Sequence, residues 1–322
     1  MLAAAVFSRQ KELDRNRHRE VKAKQIFMVG EMKITPFAVD HSSFGSVAYL
    51  IEAEGKSLLY SGDIRKHGRK PGMARDLVAE IRPRNIDVLL MEGTHFGSGG
   101  TKGCTEYELE DEIMGHIKTA PGLALACFSP IDVDRLVTYY RACQRSGRIF
   151  VVDAYAAFVM HLVASEASIP RPTSDAGVRV YFNRSFDGRR LNTVKERLQQ
   201  NRIELNQVLA EPGRYLMVFR PSMTELDFEK VLPANCRCFY SYWKGYLEKP
   251  DWQKLQQDLK AVGGDFIPAH ASGHIYVEDI VDLVRGIKPK QVVPIHTFNP
   301  NGFSNHFSNA RVLEDCQSFT VE

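Results

Sequence analysis

The chain has 322 residues, 44% of them hydrophobic and 25% charged, and its formal net charge is +3 at pH 7. This composition predicts a globular protein of one large or two medium domains, and so small a charge does not by itself indicate nucleic-acid binding. No apolar run is long enough to span a bilayer, and the first residues, MLAAAVF, lack the basic start of a signal peptide. The six cysteines form no C-x-x-C pair, which favours reduced thiols. We therefore expect a soluble, cytoplasmic protein that does not enter a membrane.

The first predicted element in chain order is a polar helix from Ala3 to Lys24. Short β-type runs then fill residues 25–63, and residues 85–91, NIDVLLM, form another buried strand bounded by Pro83 and Gly93. A helix is expected over residues 106–117. The N-terminal third of the chain is therefore predicted to form a sheet of short strands.

The middle of the chain has a β-α-β rhythm. The apolar runs LALACF and IFVVDAY flank the helical stretch DVDRLVTYYRACQRSG, which favours a parallel sheet with crossover helices. Further helices are expected at residues 193–206, 223–231, 252–263 and 276–287, and further strands at residues 215–219, 236–242 and 292–295. Boundaries at 97–103 and 244–250 predict a middle domain inserted between two parts of another, and the predicted fold class is α/β.

Four short strings place polar residues at the ends of apolar strands. They are Asp40-His41-Ser42, Tyr60-Ser61-Gly62-Asp63, Met91-Glu92-Gly93-Thr94, and the segment that holds Ser272-Gly273-His274 and Ile295-His296. Open α/β sheets build their sites at the carboxyl ends of strands. Neutral imidazole and carboxylate are ligands that suit zinc or manganese, and two metals about 3.5–4 Å apart suit displacement at phosphorus. Each string alone is more simply interpreted as a turn, a helix cap or a core histidine, but the four together predict a metal site.

The order of the strings resembles that of a known family. DHSSFGSVAYLIEAEGKSLLYSGDIR is similar to the third and fourth motifs of the metallo-β-lactamase superfamily. LLMEGTHFG, HASGH and PIH resemble motifs A, B and C of its β-CASP branch, which includes ribonuclease J and the endonuclease of cleavage and polyadenylation. The resemblance runs from about residue 29 to the C-terminus.

The resemblance implies a metallo-β-lactamase αββα sandwich, with its N-terminal part missing, and an inserted β-CASP α/β domain. The expected division is an N-terminal helix at residues 1–28, the first part of the core at 29–100, the β-CASP domain at 101–245, and the last part of the core at 246–322.

The resemblance also implies roles for single residues. His41 would ligate one metal, Asp63 would bridge two, and His296 would ligate the second. Glu92 would orient a ligand, as groups behind metal ligands commonly do, and His274 would contact phosphate and act as general acid.

Three more residues are expected at the substrate phosphate. Ser272 would contact it beside His274, and Ser129 and Arg135 would hold it at the domain cleft. The basic residues Arg65, Lys66, Arg69 and Lys70 would suit a phosphate backbone as well as a solvated loop.

One motif of the family is missing from the sequence. His-x-His-x-Asp-His, which supplies most of the ligands for the two zinc ions of the complete site, does not occur, and His18 is the only histidine before His41. We therefore expect a chain truncated at its N-terminus, weak or partial zinc binding, impaired activity and an exposed apolar surface.

The first hypothesis for function is a zinc-dependent β-CASP nuclease that cleaves RNA phosphodiesters with metal-activated water, a hydrolase of RNA processing. RNA is preferred over DNA because motif C carries His296. A catalytically inactive RNA-binding or assembly module of the same fold is the first alternative, and a small-ester metallo-hydrolase is the second. The expected partners are RNA and either a second copy of the chain or a missing N-terminal segment.

Overall fold

The computed structural model describes residues 20–97, 102–184 and 192–321. They form an α/β protein with two six-stranded sheets, which confirms the predicted class. The chain divides into two compact units. We call residues 106–271 the continuous unit, and the described residues of 20–105 and 272–321 the discontinuous unit.

The discontinuous unit contains a mixed sheet. Its strands, numbered along the chain, are β1 (Phe27–Val29), β2 (Met32–Ala38), β3 (Val47–Ala53), β4 (Lys56–Tyr60), β5 (Val88–Glu92) and β12 (Gln291–Ile295). The first four form an antiparallel meander, and β5 lies parallel to both β4 and β12. Since β3 runs opposite to its two neighbours, strands β2, β4, β5 and β12 all point the same way. Their carboxyl ends therefore lie along one edge of the sheet.

Two helices cover this sheet, α1 (Gly72–Ile81) and α9 (Val277–Ile287). Helix α9 buries Ile280, Val281, Leu283, Val284 and Ile287, the spacing of one apolar helical face. Two acidic residues in its first turn interact favourably with the positive end of the helix dipole. The helix ends at Lys288, which adopts a left-handed conformation. The apolar face joins Leu50, Leu59, Leu89 and Val292 in the core of the discontinuous unit.

The continuous unit contains a second sheet, in which every strand pair is parallel. Its strands are β6 (Ala124–Cys127), β7 (Ile149–Asp153), β8 (Val178–Tyr181), β9 (Tyr215–Val218), β10 (Arg237–Tyr240) and β11 (Asp265–Pro268), in the order β11-β10-β6-β9-β7-β8. Its helices are α2 (Glu106–Thr119), α3 (Val133–Arg145), α4 (Ala154–Val163), α5 (Asn192–Leu198), α6 (Leu205–Ala210), α7 (Pro221–Leu226) and α8 (Pro250–Ala261). Crossover helices between parallel strands are what the β-α-β rhythm predicts.

Several elements differ from the sequence-based expectations. Helices α1 and α4 and strand β8 were not predicted, and the expected helix over residues 193–206 is two helices, α5 and α6. The expected boundary near residue 245 falls instead after Ala271, because β11 pairs with β10 and so belongs to the second sheet. The predicted N-terminal helix lies mostly outside the described residues, and residues 20–26 form loop and turn.

The described part of the chain contains no helix with the length and apolar character that crossing a bilayer requires.

A buried carboxylate ties three strands together at the amino ends of β4, β5 and β12. Asp87 Oδ2 accepts hydrogen bonds from the Ser57 backbone N–H at 2.8 Å and from the Ser57 hydroxyl at 3.0 Å. Its Oδ1 accepts from Lys290 Nζ at 2.6 Å. The hydrogen bond from Lys290 is the main reason that the pKa of Asp87 falls from 3.8 to about 2. The ionised form of Asp87 is therefore part of the folded structure at neutral pH.

Lys290→Met is expected to lower the free energy of unfolding at pH 7, because it removes the ion pair with Asp87. The loss should be only about 1 kcal/mol, since the mostly exposed lysine is screened by solvent. A carboxylate with a depressed pKa stabilises the fold above its unfolded-state pKa, so the difference from wild type should shrink as the pH falls from 4 towards 2. Urea denaturation at several pH values tests this, with the exposed Lys56→Met as control. A loss that stays constant with pH would contradict the assignment.

Candidate metal centre

Five predicted residues come together at one edge of the mixed sheet. His41 follows β2, Asp63 follows β4, Glu92 ends β5 and His296 follows β12. His274 lies in the loop that leads into α9. The shared direction of the four strands places their ends side by side, which explains why residues so far apart in sequence meet.

Glu92 is fully buried and organises the centre of the site. Its Oε1 accepts a hydrogen bond from the Ile64 backbone N–H at 2.9 Å, and its Oε2 accepts from the Thr94 hydroxyl at 2.9 Å. Both oxygens lie 3.3 Å from Nδ1 of His274. Burial alone would raise the pKa of Glu92, but the hydrogen bond and charge of His274 outweigh burial and lower it. Glu92 is therefore ionised and faces a partly buried imidazole.

The pKa of His274, the partner of Glu92, shifts in the opposite direction. Burial lowers the pKa of His274, but the hydrogen bond and charge of Glu92 outweigh it and raise the pKa above the ordinary value. The Nδ1–H donates to the carboxylate, so that protonated His274 carries its second proton on Nε2. The His274 ring lies between two others, with its centroid 5.2 Å from those of His41 and of His296.

His41 is held in the form that a metal requires. Its Nδ1–H donates to the carbonyl oxygen of Gly273 at 2.6 Å, so that in the neutral ring Nε2 carries the lone pair. Nε2 lies 3.8 Å from Asp63 Oδ2 and accepts from the Ser42 hydroxyl at 3.3 Å. Burial lowers the pKa of His41, which favours the neutral imidazole.

Glycine is required where the loop approaches His41. A Cβ on Gly273 would lie 2.5 Å from Ser42 Oγ and 3.3 Å from His41 Cε1. A larger residue at position 273 would therefore push the loop away from His41 and would disturb the hydrogen bond from His41 Nδ1–H to the Gly273 carbonyl.

His296 turns sharply out of its strand. Its φ of +48° is the left-handed region that non-glycine residues seldom adopt and that often marks functional sites. The turn brings Nδ1 to 2.9 Å from Asp63 Oδ1, and Thr94 Oγ1 lies 3.5 Å away. Asp63 thus lies between His41 and His296, one oxygen towards each.

Two groups of side chains could hold a metal ion among the described residues. One is His41, Asp63 and His274, and the other is Glu92, His274 and His296, with the ligating atoms of each group within 4.8 Å of one another. Imidazole and carboxylate donors fit zinc or manganese. The sequence placed His41, Asp63 and His296 among the ligands, and the geometry adds His274 as a member of both groups.

The sequence analysis missed two further histidines in the discontinuous unit. His95 Nε2 lies 2.9 Å from Ser272 Oγ, and His67 Nε2–H donates to the Ser272 carbonyl at 2.7 Å. Both rings lie against Tyr276, with centroids 4.9 and 4.3 Å away. Ser272 Oγ also accepts the His274 backbone N–H at 3.0 Å. His95 follows Glu92-Gly93-Thr94 directly, and that position was the only signal for it.

Arg135 is not placed to bind a substrate. It is 1% exposed, and its guanidinium donates to both oxygens of Glu106 and to the carbonyls of Ser241 and Ala271. Burial lowers its pKa, but the charge of Glu106 outweighs burial and raises it. The predicted phosphate contact is therefore a buried ion pair inside the continuous unit. Ser129 lies in the same unit, half-buried in the loop after β6, and its carbonyl accepts the Asp132 N–H at 3.0 Å.

The predicted basic cluster is also partly internal. Arg65 is fully buried and its Nε donates to Asp40 at 3.1 Å. Lys66 forms an ion pair with Asp279 at 2.9 Å, on the first turn of α9. These two residues hold the site loops to the fold and do not form an open basic surface.

Histidine and carboxylate donors therefore meet at adjoining strand ends of an α/β protein, in an arrangement that could hold a metal ion. Comparison with known proteins finds similar sequences. The chain is 21% identical over 287 residues to Ribonuclease J of Mycobacterium tuberculosis and 23% identical over 304 residues to Ribonuclease J of Mycolicibacterium smegmatis. Each match covers 86% of this chain and 49% of the relative, so the chain spans about half the length of the curated relatives it matches.

This weak homology to Ribonuclease J confirms the resemblance to the β-CASP branch of the metallo-β-lactamase superfamily. No protein-family model matches the chain. The crystal structure of a protein of unknown function from Enterococcus faecalis V583 has the same fold, with a TM-score of 0.74 and 21% identity over 93% of this chain and 67% of that one.

Proposed function

We propose that the protein is a metal-dependent hydrolase of the β-CASP nuclease type that cleaves RNA phosphodiesters. The observation that carries the proposal is the meeting of His41, Asp63, Glu92, His274 and His296 at one sheet edge, where imidazole and carboxylate groups of the kind that suits zinc or manganese lie together. The homology to Ribonuclease J supports RNA as the substrate.

The proposal assigns the two units to the two parts of the family fold. The discontinuous unit, with its mixed sheet and candidate metal centre, is the metallo-β-lactamase core. The continuous unit, with its parallel sheet, is the inserted β-CASP domain. The position of the insertion supports this assignment, because it separates Glu92 from His274 and so lies between motifs A and B. The alternative function, a small-ester hydrolase, does not account for such an insertion.

A divalent cation at this centre would activate water and neutralise charge on the scissile phosphate. Neutral His41 would offer Nε2 as a ligand, and Asp63, which has one oxygen towards His41 and one towards His296, would offer its carboxylate. Ser272, which is held by His95 and by the His274 backbone, would donate its hydroxyl to a phosphate oxygen.

His274 is best suited to the role of general acid. A protonated imidazole cannot ligate a metal, and ionised Glu92 stabilises that protonated form. The proton on Nε2 can then pass to the oxygen that leaves when the phosphodiester is cut. The metal ligands of the proposal are therefore His41, Asp63 and His296, with Glu92 positioning the acid.

Titration of the purified chain with Zn²⁺ or Mn²⁺ tests the metal site directly. We expect at most one ion per chain, bound weakly, because His41, Asp63 and His296 are too few ligands for two sites that each take about three. His41→Ala should weaken binding at least about 10-fold, the size of effect that even an outer partner of a ligand commonly has. His161→Ala, in the continuous unit, is the matched control. Two tightly bound ions, or unchanged binding in His41→Ala, would contradict the donor assignment.

RNA cleavage assays with and without added metal test the function. Cleavage that needs metal and is lost in Asp63→Asn supports the nuclease. Binding of RNA with no cleavage at any metal concentration would favour the alternative, an RNA-binding module of the same fold.

A further inference from the structure

An exposed aromatic pair lies in the continuous unit. Trp243 and Tyr246 belong to the segment between β10 and α8, around the short 3-10 helix Lys244–Glu248. Trp243 is 61% exposed and Tyr246 is 41% exposed. Tryptophan and tyrosine are enriched at interfaces, so an adjacent exposed pair of the two is a candidate binding surface.

The Trp243 ring is fixed in place although it is exposed. A Cβ on Gly245 would lie 2.1–2.6 Å from Cζ3, Cη2 and Cε3 of the indole, so the ring rests directly on the glycine backbone. The Trp243 carbonyl accepts hydrogen bonds from the Tyr240 hydroxyl at 2.8 Å and from the Tyr246 N–H at 3.0 Å. The indole therefore has one covered side and one side presented to solvent, with little freedom to lose on binding.

Tyr246 and a lysine complete the surface. The Tyr246 ring stands at 89° to the indole, with centroids 5.6 Å apart. Lys249 Nζ lies over the Tyr246 ring, 4.1 Å from its centroid, and Lys244 is exposed beside the pair. We name Lys244, Trp243, Tyr246 and Lys249 the aromatic platform.

We propose that the aromatic platform binds single-stranded RNA by stacking nucleobases on Trp243 and Tyr246, while the two lysines contact phosphates. Proteins that bind single strands without reading sequence combine aromatic side chains with basic groups in this way. The proposal rests on the proposed function for the identity of the ligand, and adds where the strand is held.

The size of the surface favours nucleobases over a protein partner. A buried aromatic side chain contributes about 150–250 Å², so the exposed parts of these two rings offer roughly 200 Å² in total. A stable protein interface needs about 800 Å² from each partner. The two rings can cover one or two bases, and they are too small to hold a second copy of the chain.

Tryptophan fluorescence gives a direct test, because the chain has only two tryptophans. Trp252 packs against Tyr240 and Tyr242, with ring centroids at 4.8 and 5.5 Å, so Trp252→Phe leaves Trp243 as the sole emitter. Single-stranded oligoadenylate, added in EDTA to prevent metal-dependent cleavage, should quench this emission. A double-stranded RNA of the same length should not, because its bases are already stacked on one another.

Affinity measurements complete the test. Trp243→Ala should weaken single-strand binding by about 5- to 100-fold, which is the range for loss of one base stack. Gly245→Ala should weaken it as well by displacing the indole, without any change of charge or of aromatic content. Tyr107→Ala removes another exposed tyrosine of the continuous unit and should leave binding unchanged.

The outcomes separate this proposal from the proposed function. Quenching without cleavage in metal would support the platform and contradict the nuclease. Cleavage in metal, with no quenching and with wild-type affinity in Trp243→Ala, would overturn the platform alone. Sedimentation in which Trp243→Ala abolishes self-association and leaves RNA affinity unchanged would overturn it in favour of a second copy of the chain.

Discussion

Glu92→Gln is expected to lower the rate of metal-dependent RNA cleavage by about 100- to 10,000-fold, the size of a general-acid contribution. The amide keeps an acceptor for the Ile64 N–H and can donate to Thr94 Oγ1, so most of the buried hydrogen bonds survive. What the amide cannot supply is the negative charge beside His274. The imidazole would then lose the interaction that favours its protonated form, and the acid of the proposed mechanism would be absent.

The stability and the metal affinity of the Glu92→Gln protein should be measured together with its cleavage rate. Glu92→Gln should bind metal nearly as wild type does, since in the proposal Glu92 positions the acid and does not ligate the metal. Glu80→Gln makes the same change of charge at a partly exposed ion pair of the same unit, with Lys24, and should cleave RNA normally. Wild-type cleavage by a folded Glu92→Gln protein would remove His274 from the role of acid.

Sequence patterns were sufficient for the parts of the fold that local chemistry determines. The strands β2, β4, β5 and β12 were visible as apolar runs, and α9 as an amphipathic repeat. His41, Asp63, Glu92 and His296 were singled out because each stands at or just past the end of such a run, and His274 because HASGH resembles a family motif. That the ends of these strands share one edge follows from their direction, which the sheet confirms.

The sequence-based predictions that the structure does not match have a common physical cause. Which side chains are buried, and which charges pair, depends on contacts between residues far apart in the sequence. The sequence predicted Arg135 to be a cation near a cleft. The folded structure shows that it forms an ion pair with Glu106. Arg65 reads as part of a basic loop, yet Asp40 holds it in the interior. Helix α4 was missed because Ala154–Val163 is apolar on all sides, and such a run has no helical periodicity. His67 follows no strand end that would have marked it, and His95 was passed over although it directly follows the string that ends β5.

The interior of the continuous unit depends on the ion pair between Glu106 and Arg135. The guanidinium Nη2 lies 2.8 Å from Glu106 Oε1, and the Thr138 hydroxyl donates to the other carboxylate oxygen at 2.7 Å. The same guanidinium bonds the carbonyls of Ser241, after β10, and Ala271, after β11. One pair thus joins the start of α2 and helix α3 to two strand ends. Removal of either partner leaves a buried charge without compensation.

Arg135→Met is therefore expected to lower the free energy of unfolding by about 3–5 kcal/mol. At about 2–4 °C per kcal/mol for a folding unit of the size of the continuous unit, its melting temperature should fall by about 6–20 °C. Arg145→Met, on the same helix but at the surface, breaks ion pairs with Glu110 and Asp111 and should cost at most about 1 kcal/mol.

The double variant Glu106→Gln/Arg135→Met separates a structural role from substrate binding. Without the carboxylate no uncompensated charge remains, so the double variant should be more stable than Arg135→Met alone. Recovery of stability by a second deletion is a result that a phosphate-binding arginine cannot give, because loss of a substrate contact has no partner in the free protein. If Arg135→Met instead melted as wild type does and lost affinity for RNA, the arginine would be a substrate ligand and the buried ion pair would have little part in holding the continuous unit together.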